Sequence, residues 1–213
     1  MASEYREIDV KEIEVHPDYM LRLDYDIDSL KEEIRREGQL QPGRVIWDKT
    51  KRNYLLYIGV RKFLTVKQLY EKIGEEKFKY YKALVDEGLT REQVDAKALS
   101  ENRQEARKPL RPLELINFIV KRSGNVPNLS FINEYRLLAS SFSPELIVSL
   151  MKIEKKTGFY FTKQHLEEID EISSNNTRIA IASLIAATSA PSTEVERLVR
   201  EKDGALEIRG SKK

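Results

Sequence analysis

The chain has 213 residues, 40% of them apolar and 34% charged, with a formal net charge of +2, the balance of a globular protein with room for one large core or two small ones. Without a cysteine it can form no disulfide, thiolate metal site or thiol nucleophile. No apolar run approaches the ~20 residues that span a bilayer, and the opening "MASEYREIDV" has no secretory hydrophobic segment, so a cytoplasmic location is expected.

Alternating apolar residues in "REIDVKEIEV" predict a first strand. "DSLKEEIRREG" reads as a helix, capped by Asp26 or Asp28 and stopped by Gly38. "RVIWD" and "YLLYI" read as a hairpin across "KTKRN". Gly59 then permits a tight turn, and a helix runs from about Arg61 to Glu71. "KYYKALV" is a further strand, and "TREQVDAKALSENR" opens on Thr90 and Gln93 at capping-box spacing and stays helical to about Asn102. These elements compose a mixed α/β domain over residues 1–107.

From Pro109 onward the strand signals give way to amphipathic helices around Leu113–Arg122, Phe131–Ser140, Pro144–Lys155, Lys163–Ile172, Ile179–Ala187 and Glu194–Glu201. They predict an all-α domain over residues 108–205, followed by a disordered tail over 206–213 that ends in "RGSKK". The fold class is α+β.

Two places invite a ligand. Arg61 and Lys62 would open a helix, and cations at an N-terminus suit that end poorly unless an anion such as a phosphate chain binds there. Glu101 and Asn102, at the end of a later helix, supply the oxygen ligands magnesium accepts when it is shared with a nucleotide. Asp24, Asp26 and Asp28 resemble the start of a calcium loop, but Ser29 stands where that loop needs glycine and Arg35 where it needs glutamate, which leaves helix capping. His16 and His165 are isolated and read as structural. Positive charge gathers in "RQEARKPLRPLELINFIVKR" and in "MKIEKKTGFYFTK", a distribution that suits either solvated helix faces or a nucleic-acid surface.

The order of these motifs resembles the ParB family of DNA-segregation proteins. In "HPDYMLRLDYDIDSLKEEIRREGQLQP", His16-Pro17, Arg22, Leu30, Ile34, Gly38, Leu40, Gln41 and Pro42 fall at the family's Asn-Pro, Gln-Pro-Arg and Gly-x-x-Gln-Pro positions. "YLLYIGVRKF" is similar to its Tyr-x-x-x-x-Gly-Glu-Arg-Arg box, with Val60 for the acid and Lys62 for the last arginine, and "ENRQE" to its Glu-Asn-x-Gln-Arg box. The resemblance implies a pocket for a nucleoside triphosphate, CTP or ATP. Gly59, Arg61 and Lys62 would sit on the phosphates, with Arg22 and Gln41 among the cofactor-binding residues and Glu101 and Asn102 on magnesium. Hydrolysis, as a weak nucleoside triphosphatase, is left open. Sulfiredoxins share the superfold but need a cysteine where Val60 stands. A phosphotransferase of the free amino-acid kinase type, or a nuclease, remains the alternative on this scaffold.

The helical half resembles the family's DNA-binding region over "RPLELINFIVKRSGNVPNLSFINEYRLLASSFSPELI", read as a helix-turn-helix with Phe131–Ser140 as recognition helix. Asn128, Ser130, Asn133 and Arg136 would then face base edges, while Lys121, Arg122, Lys155, Lys156 and Lys163 would face phosphates. The implied partners are double-stranded DNA, a ParA-like ATPase and further copies of the chain on DNA, with no membrane, and the implied location is the nucleoid or a plasmid. The resemblance spans roughly residues 8 to 200, and the chain is expected to lack the family's C-terminal dimerisation domain.

Overall fold

Residues 3–22, 24–104, 110–123, 125–195 and 197–199 are described by the structure, a computed structural model. The chain divides into two compact units, Met1–Pro109 and Leu110–Lys213. The first is a mixed sheet with helices and the second is helical, so the α+β class holds. Among the described residues no helix is long and apolar enough to cross a membrane.

The first unit is built on strands β1 (Ser3–Asp9), β2 (Ile13–Val15), β3 (Gly43–Asp48), β4 (Asn53–Ile58) and β5 (Tyr80–Asp86), in the spatial order β1-β5-β3-β4-β2. β1 runs antiparallel to β5 and β4 antiparallel to β3, whereas β5 pairs parallel with β3 and β2 parallel with β4. Helices α1 (Asp28–Glu37) and α2 (Val60–Glu71) pack on one face, where Ile34, Phe63, Val66 and Leu69 meet Val45, Leu56, Tyr81, Ala83 and Val85. Helix α3 (Arg91–Gln104) packs on the other face, with Val94 and Ala98 against Tyr57 and Tyr19. Successive strand residues point to opposite faces. A strand covered on both sides is therefore apolar throughout, and this explains why "YLLYI" shows no polar alternation and is buried at every position.

Two expectations for the first unit need correction. The single strand read in "REIDVKEIEV" is two strands on opposite edges of the sheet, separated by a 3₁₀ turn at Val10–Glu12 in which the Asp9 carboxylate accepts from Lys11 N–H at 2.9 Å. The apolar positions step by three from Val10 to Ile13, so the alternation loses its phase where the chain turns. Helix α1 carries no side-chain cap: its N-cap position is Ile27, and Asp28 is already helical. Gly38 ends it at φ +73, as read. Thr90 and Gln93 do form the capping box of α3, each side chain accepting from the other's N–H at 3.3 and 3.0 Å.

The second unit holds α4 (Pro112–Lys121), α5 (Ser130–Asn133), α6 (Arg136–Ser141), α7 (Pro144–Thr157), α8 (Lys163–Asp170) and α9 (Asn175–Thr188). Its core contains Leu113, Ile116, Ile132, Leu146, Leu150, Phe161, Leu166, Ile181 and Ile185. The single recognition helix over Phe131–Ser140 is corrected to two short helices with a break at Glu134–Tyr135. Ile132 and Leu138 are both buried, yet in one continuous helix they would stand about 120° apart at 3.6 residues per turn. The break lets both reach the core. The expected helix at Glu194–Glu201 begins as a 3₁₀ turn at Ser192–Glu194; residues 200–213, including the expected tail, lie outside the described residues.

One contact sets where α2 begins. The Tyr81 hydroxyl of β5 reaches over the first residue of β3, Gly43, and donates to the Gly59 carbonyl at 3.1 Å. A methyl at Gly43 would collide with that hydroxyl and stand 2.8 Å from the Ile58 carbonyl oxygen. Gly43→Ala is therefore expected to lower the unfolding free energy by ~1–3 kcal/mol, the range for overpacking a tight site. Urea denaturation measures it, and a stability equal to wild type would show that the junction yields without strain.

Candidate functional site

The candidate site starts at Gly59, which turns the chain from β4 into α2 at φ +88 and ψ +23. Only glycine adopts that left-handed conformation without cost. The turn gives α2 no side-chain cap, and no acidic residue stands in its first turn. The first N–H groups of a helix have no partner inside it, so this end offers donors and positive potential to an anion. Lys62 adds its ammonium, held at 3.1 Å by the side-chain carbonyl of Gln41. Gln41, distant in sequence, thus shares one neighbourhood with Gly59 and Lys62. Arg61 turns toward the start of α1 and the chain just before it: its Nε and Nη2 donate to the Asp26 carbonyl at 3.2 and 3.0 Å, and Nη2 also donates to the Ser29 hydroxyl at 2.6 Å.

The other ligand residues lie elsewhere in the unit. Arg22 sits half-buried in the segment before α1, its N–H donating to the Tyr25 hydroxyl at 3.4 Å. Glu101 is half-buried in the last turn of α3, the helix that packs on the opposite sheet face from α2. Among the described residues no contact joins it to Arg61 or Lys62, and the side chain of Asn102 lies outside the described residues.

Sequence reasoning passed over a buried polar layer beneath α3. The Asp86 carboxylate, at the end of β5, accepts from Ser3 Oγ at 2.5 Å, from Arg44 Nη1 at 2.8 and 2.9 Å, and from the Tyr57 hydroxyl. Lys97 of α3 stands 3.8 Å away. Burial pushes this carboxyl up, but the bonds from Ser3, Tyr57 and Arg44 outweigh burial and hold it below the usual carboxylate range. Burial also raises the Tyr57 hydroxyl, and the hydrogen bond to Asp86 raises it further. Beside it the rings of Tyr57 and Tyr19 meet edge to face at 6.1 Å, and Asp95 is pushed up to about 6 by burial, against the opposing charge of Arg91. The residues around Asp86 come one from each of β1, β3 and β4 and from α3, a convergence without local spacing. This layer seats the helix that carries Glu101.

In the second unit the proposed base readers bond to one another. Asn133 Nδ2 donates to Asn128 Oδ1 at 2.8 Å, Arg136 Nε donates to Asn133 Oδ1 at 2.8 Å, and Arg136 Nη2 donates to the Val126 carbonyl at 3.1 Å. They tie the loop before α5 to the start of α6. Ser130 opens α5 and is exposed. Of the phosphate readers, Lys121, Lys155 and Lys156 are exposed at helix C-terminal ends, while Arg122 is half-buried with its guanidinium 5.4 Å from the centre of the Phe118 ring.

A second missed group is a pair of fully buried carboxylates sharing one cation. Arg111 stands 3.2 Å from Glu114 and 3.4 Å from Glu154, and Glu154 Oε1 accepts from Phe161 N–H at 2.9 Å. Burial raises the Glu154 carboxyl to about 7, against the pull of the Phe161 amide and Arg111.

No family model and no curated protein matches the sequence. Two solved structures of the C-terminally truncated chromosome-partitioning protein ParB from Caulobacter crescentus are similar to the chain. One, complexed with CTP-gamma-S, is 20% identical over 85% of this chain and 98% of its own, with a TM-score of 0.40. The other, complexed to the centromeric parS site, is 21% identical over 92% of this chain and 97% of its own, with a TM-score of 0.34. At these values the likeness adds no weight to any single residue; the contacts described above do.

The Glu154 carboxyl gives a signed pH dependence. Its folded pKa lies above the ordinary 4.5, so between that value and about 7 the folded chain keeps a proton that the unfolded chain releases, and stability falls as pH rises through the window. Relative to Glu154→Gln, which cannot titrate, the wild-type protein should lose on the order of 1–3 kcal/mol between pH 5 and pH 8. Urea unfolding of both proteins at the two pH values checks it. Parallel pH profiles would mean that Glu154 is ionised throughout.

Proposed function

We propose that this chain is a ParB-like DNA-binding protein of plasmid or chromosome segregation whose state is set by a nucleoside triphosphate, CTP before ATP, bound at the Gly59 turn. The observation that carries the reading is the meeting of an uncapped, left-handed helix start with the Lys62 ammonium and the Gln41 side chain. A triphosphate fits such a place: the first N–H groups of α2 would donate to phosphate oxygens, and Lys62 supplies a point charge. Magnesium would come with the ligand, and Glu101 and Asn102 are the residues that would hold it. The ion would neutralise phosphate charge; the chain's own part would be to orient the phosphates through the first turn of α2 and Lys62. The preference for CTP rests on the family resemblance of the motif boxes.

DNA would be met by the second unit, chiefly through the exposed Lys121, Lys155 and Lys156. Phosphate contacts of this kind set affinity and salt dependence more than sequence choice. Because Asn128, Asn133 and Arg136 bond to one another, base reading by these side chains would require that network to open.

Two titrations test the reading. With CTP or ATP and magnesium, Lys62→Ala should bind about tenfold more weakly, the loss of one charge-assisted contact worth ~1.4 kcal/mol. With any duplex at low salt, the Lys155→Ala, Lys156→Ala double variant should weaken binding and lower the salt slope by roughly one unit per lost contact. Failure to bind every duplex, with transfer of phosphate to a small hydroxyl compound, would replace this reading with the phosphotransferase.

A further inference from the structure

The acidic segment before α1 caps no helix, and its fold gives it another use. Asp26 stands at φ +38, in the left-handed region that aspartate tolerates better than most residues. Its N–H donates to Asp24 Oδ1 at 2.9 Å, and Ser29 Oγ donates to Asp26 Oδ2 at 2.9 Å. The turn fixed in this way presents three kinds of oxygen to one guanidinium. The Asp26 carbonyl accepts Arg61 Nε and Nη2, the Ser29 hydroxyl accepts Nη2, and the Asp26 carboxylate lies 3.8 Å from Nη2. Clustered oxygens with a negative charge are also what a phosphate group offers to arginine.

Nε and Nη2 form one edge of the guanidinium, the edge that grips two oxygens side by side. That edge cannot serve the turn and a phosphate together. Resting on the reading that a polyphosphate binds at the Gly59 turn, we infer that the Asp24–Ser29 turn is an internal competitor for Arg61. The ligand takes Nε and Nη2 from Asp26 and Ser29, and the start of α1 is released as it binds. The release has a structural reading: α1 has no side-chain cap of its own, and the Arg61 contacts are a polar tether to α2 from Asp26, just ahead of α1, and from Ser29 in its first turn. Coupling of this kind is reciprocal, so whatever strengthens the turn weakens the ligand and the reverse.

Ser29 is exposed, and Ser29→Ala removes one competing oxygen together with the bond that steadies Asp26. Calorimetric titration of the full chain with CTP and with ATP, each with magnesium, should find Ser29→Ala binding about three- to tenfold tighter than wild type, within the usual span of coupling between linked sites. Hydrogen exchange gives a second readout. Nucleotide should speed exchange of the amides of residues 28–31 in the wild-type protein, and Arg61→Gln should speed the same amides with no nucleotide present. Equal or weaker binding by Ser29→Ala, with the wild type binding normally, would make the turn a support that aims Arg61 and would overturn the inference alone. Unchanged exchange at 28–31 in Arg61→Gln would overturn it too. If neither wild type nor Ser29→Ala binds CTP or ATP, the polyphosphate reading itself falls and takes the inference with it.

Discussion

The hydroxyl of Tyr81, reaching from β5 over Gly43 to the carbonyl of Gly59, is the contact on which the first unit's site depends. It joins three strands at the point where β4 becomes α2. Two glycines make it possible for different reasons: Gly43 because nothing larger fits beneath the hydroxyl, Gly59 because the chain must turn left-handed there. With the junction fixed, the first turn of α2 is fixed, and the directions of Arg61 and Lys62 follow. Tyr81 is fully buried and its ring meets Phe63 of α2 edge to face at 5.3 Å, so the same side chain holds both the start of the helix and its packed face.

The arrangement of charge around that junction is unusual for a helix start. Nature places carboxylates at helix N-termini because they complement the dipole; here the first turn carries two cations and no acid. Each cation has an oxygen partner from another part of the chain, Asp26 and Ser29 for Arg61 and Gln41 for Lys62. These partners are carbonyls, a hydroxyl and one distant carboxylate, weaker company than a phosphate would be. A ligand that brings formal negative charge therefore has a gain available at this end of α2 that the protein alone leaves unrealised.

How much of this was legible depended on whether a residue's role was local. The strand, glycine and helix in "YLLYIGVRKF" could be read because a doubly buried strand, a left-handed turn and an amphipathic helix each leave a local pattern. The phase slip at Val10–Ile13 was also present in the sequence, but an alternation read over ten residues hides a three-residue turn. The break inside Phe131–Ser140 was not signalled by glycine or proline; it follows from where Ile132 and Leu138 must point, which only packing decides. Asn133 and Arg136 looked like free polar groups one turn apart and prove to satisfy each other. The layer around Asp86 left no trace, since its partners come from separate strands and a helix with no spacing in common. The contact of Gln41 with Lys62 left no local pattern; the resemblance had put both residues in one proposed site without pairing them.

The central claim is that an anion is bound by the backbone and side chains of the first turn of α2. An amide chemical-shift titration of isotope-labelled protein with CTP and magnesium tests it at the atoms concerned. The account predicts that the largest shifts, saturating together, fall on the amides of Gly59, Val60, Arg61 and Lys62, because those N–H groups would exchange water for phosphate oxygen. Saturable binding that leaves these four amides unmoved, with the large shifts elsewhere in the chain, would contradict it.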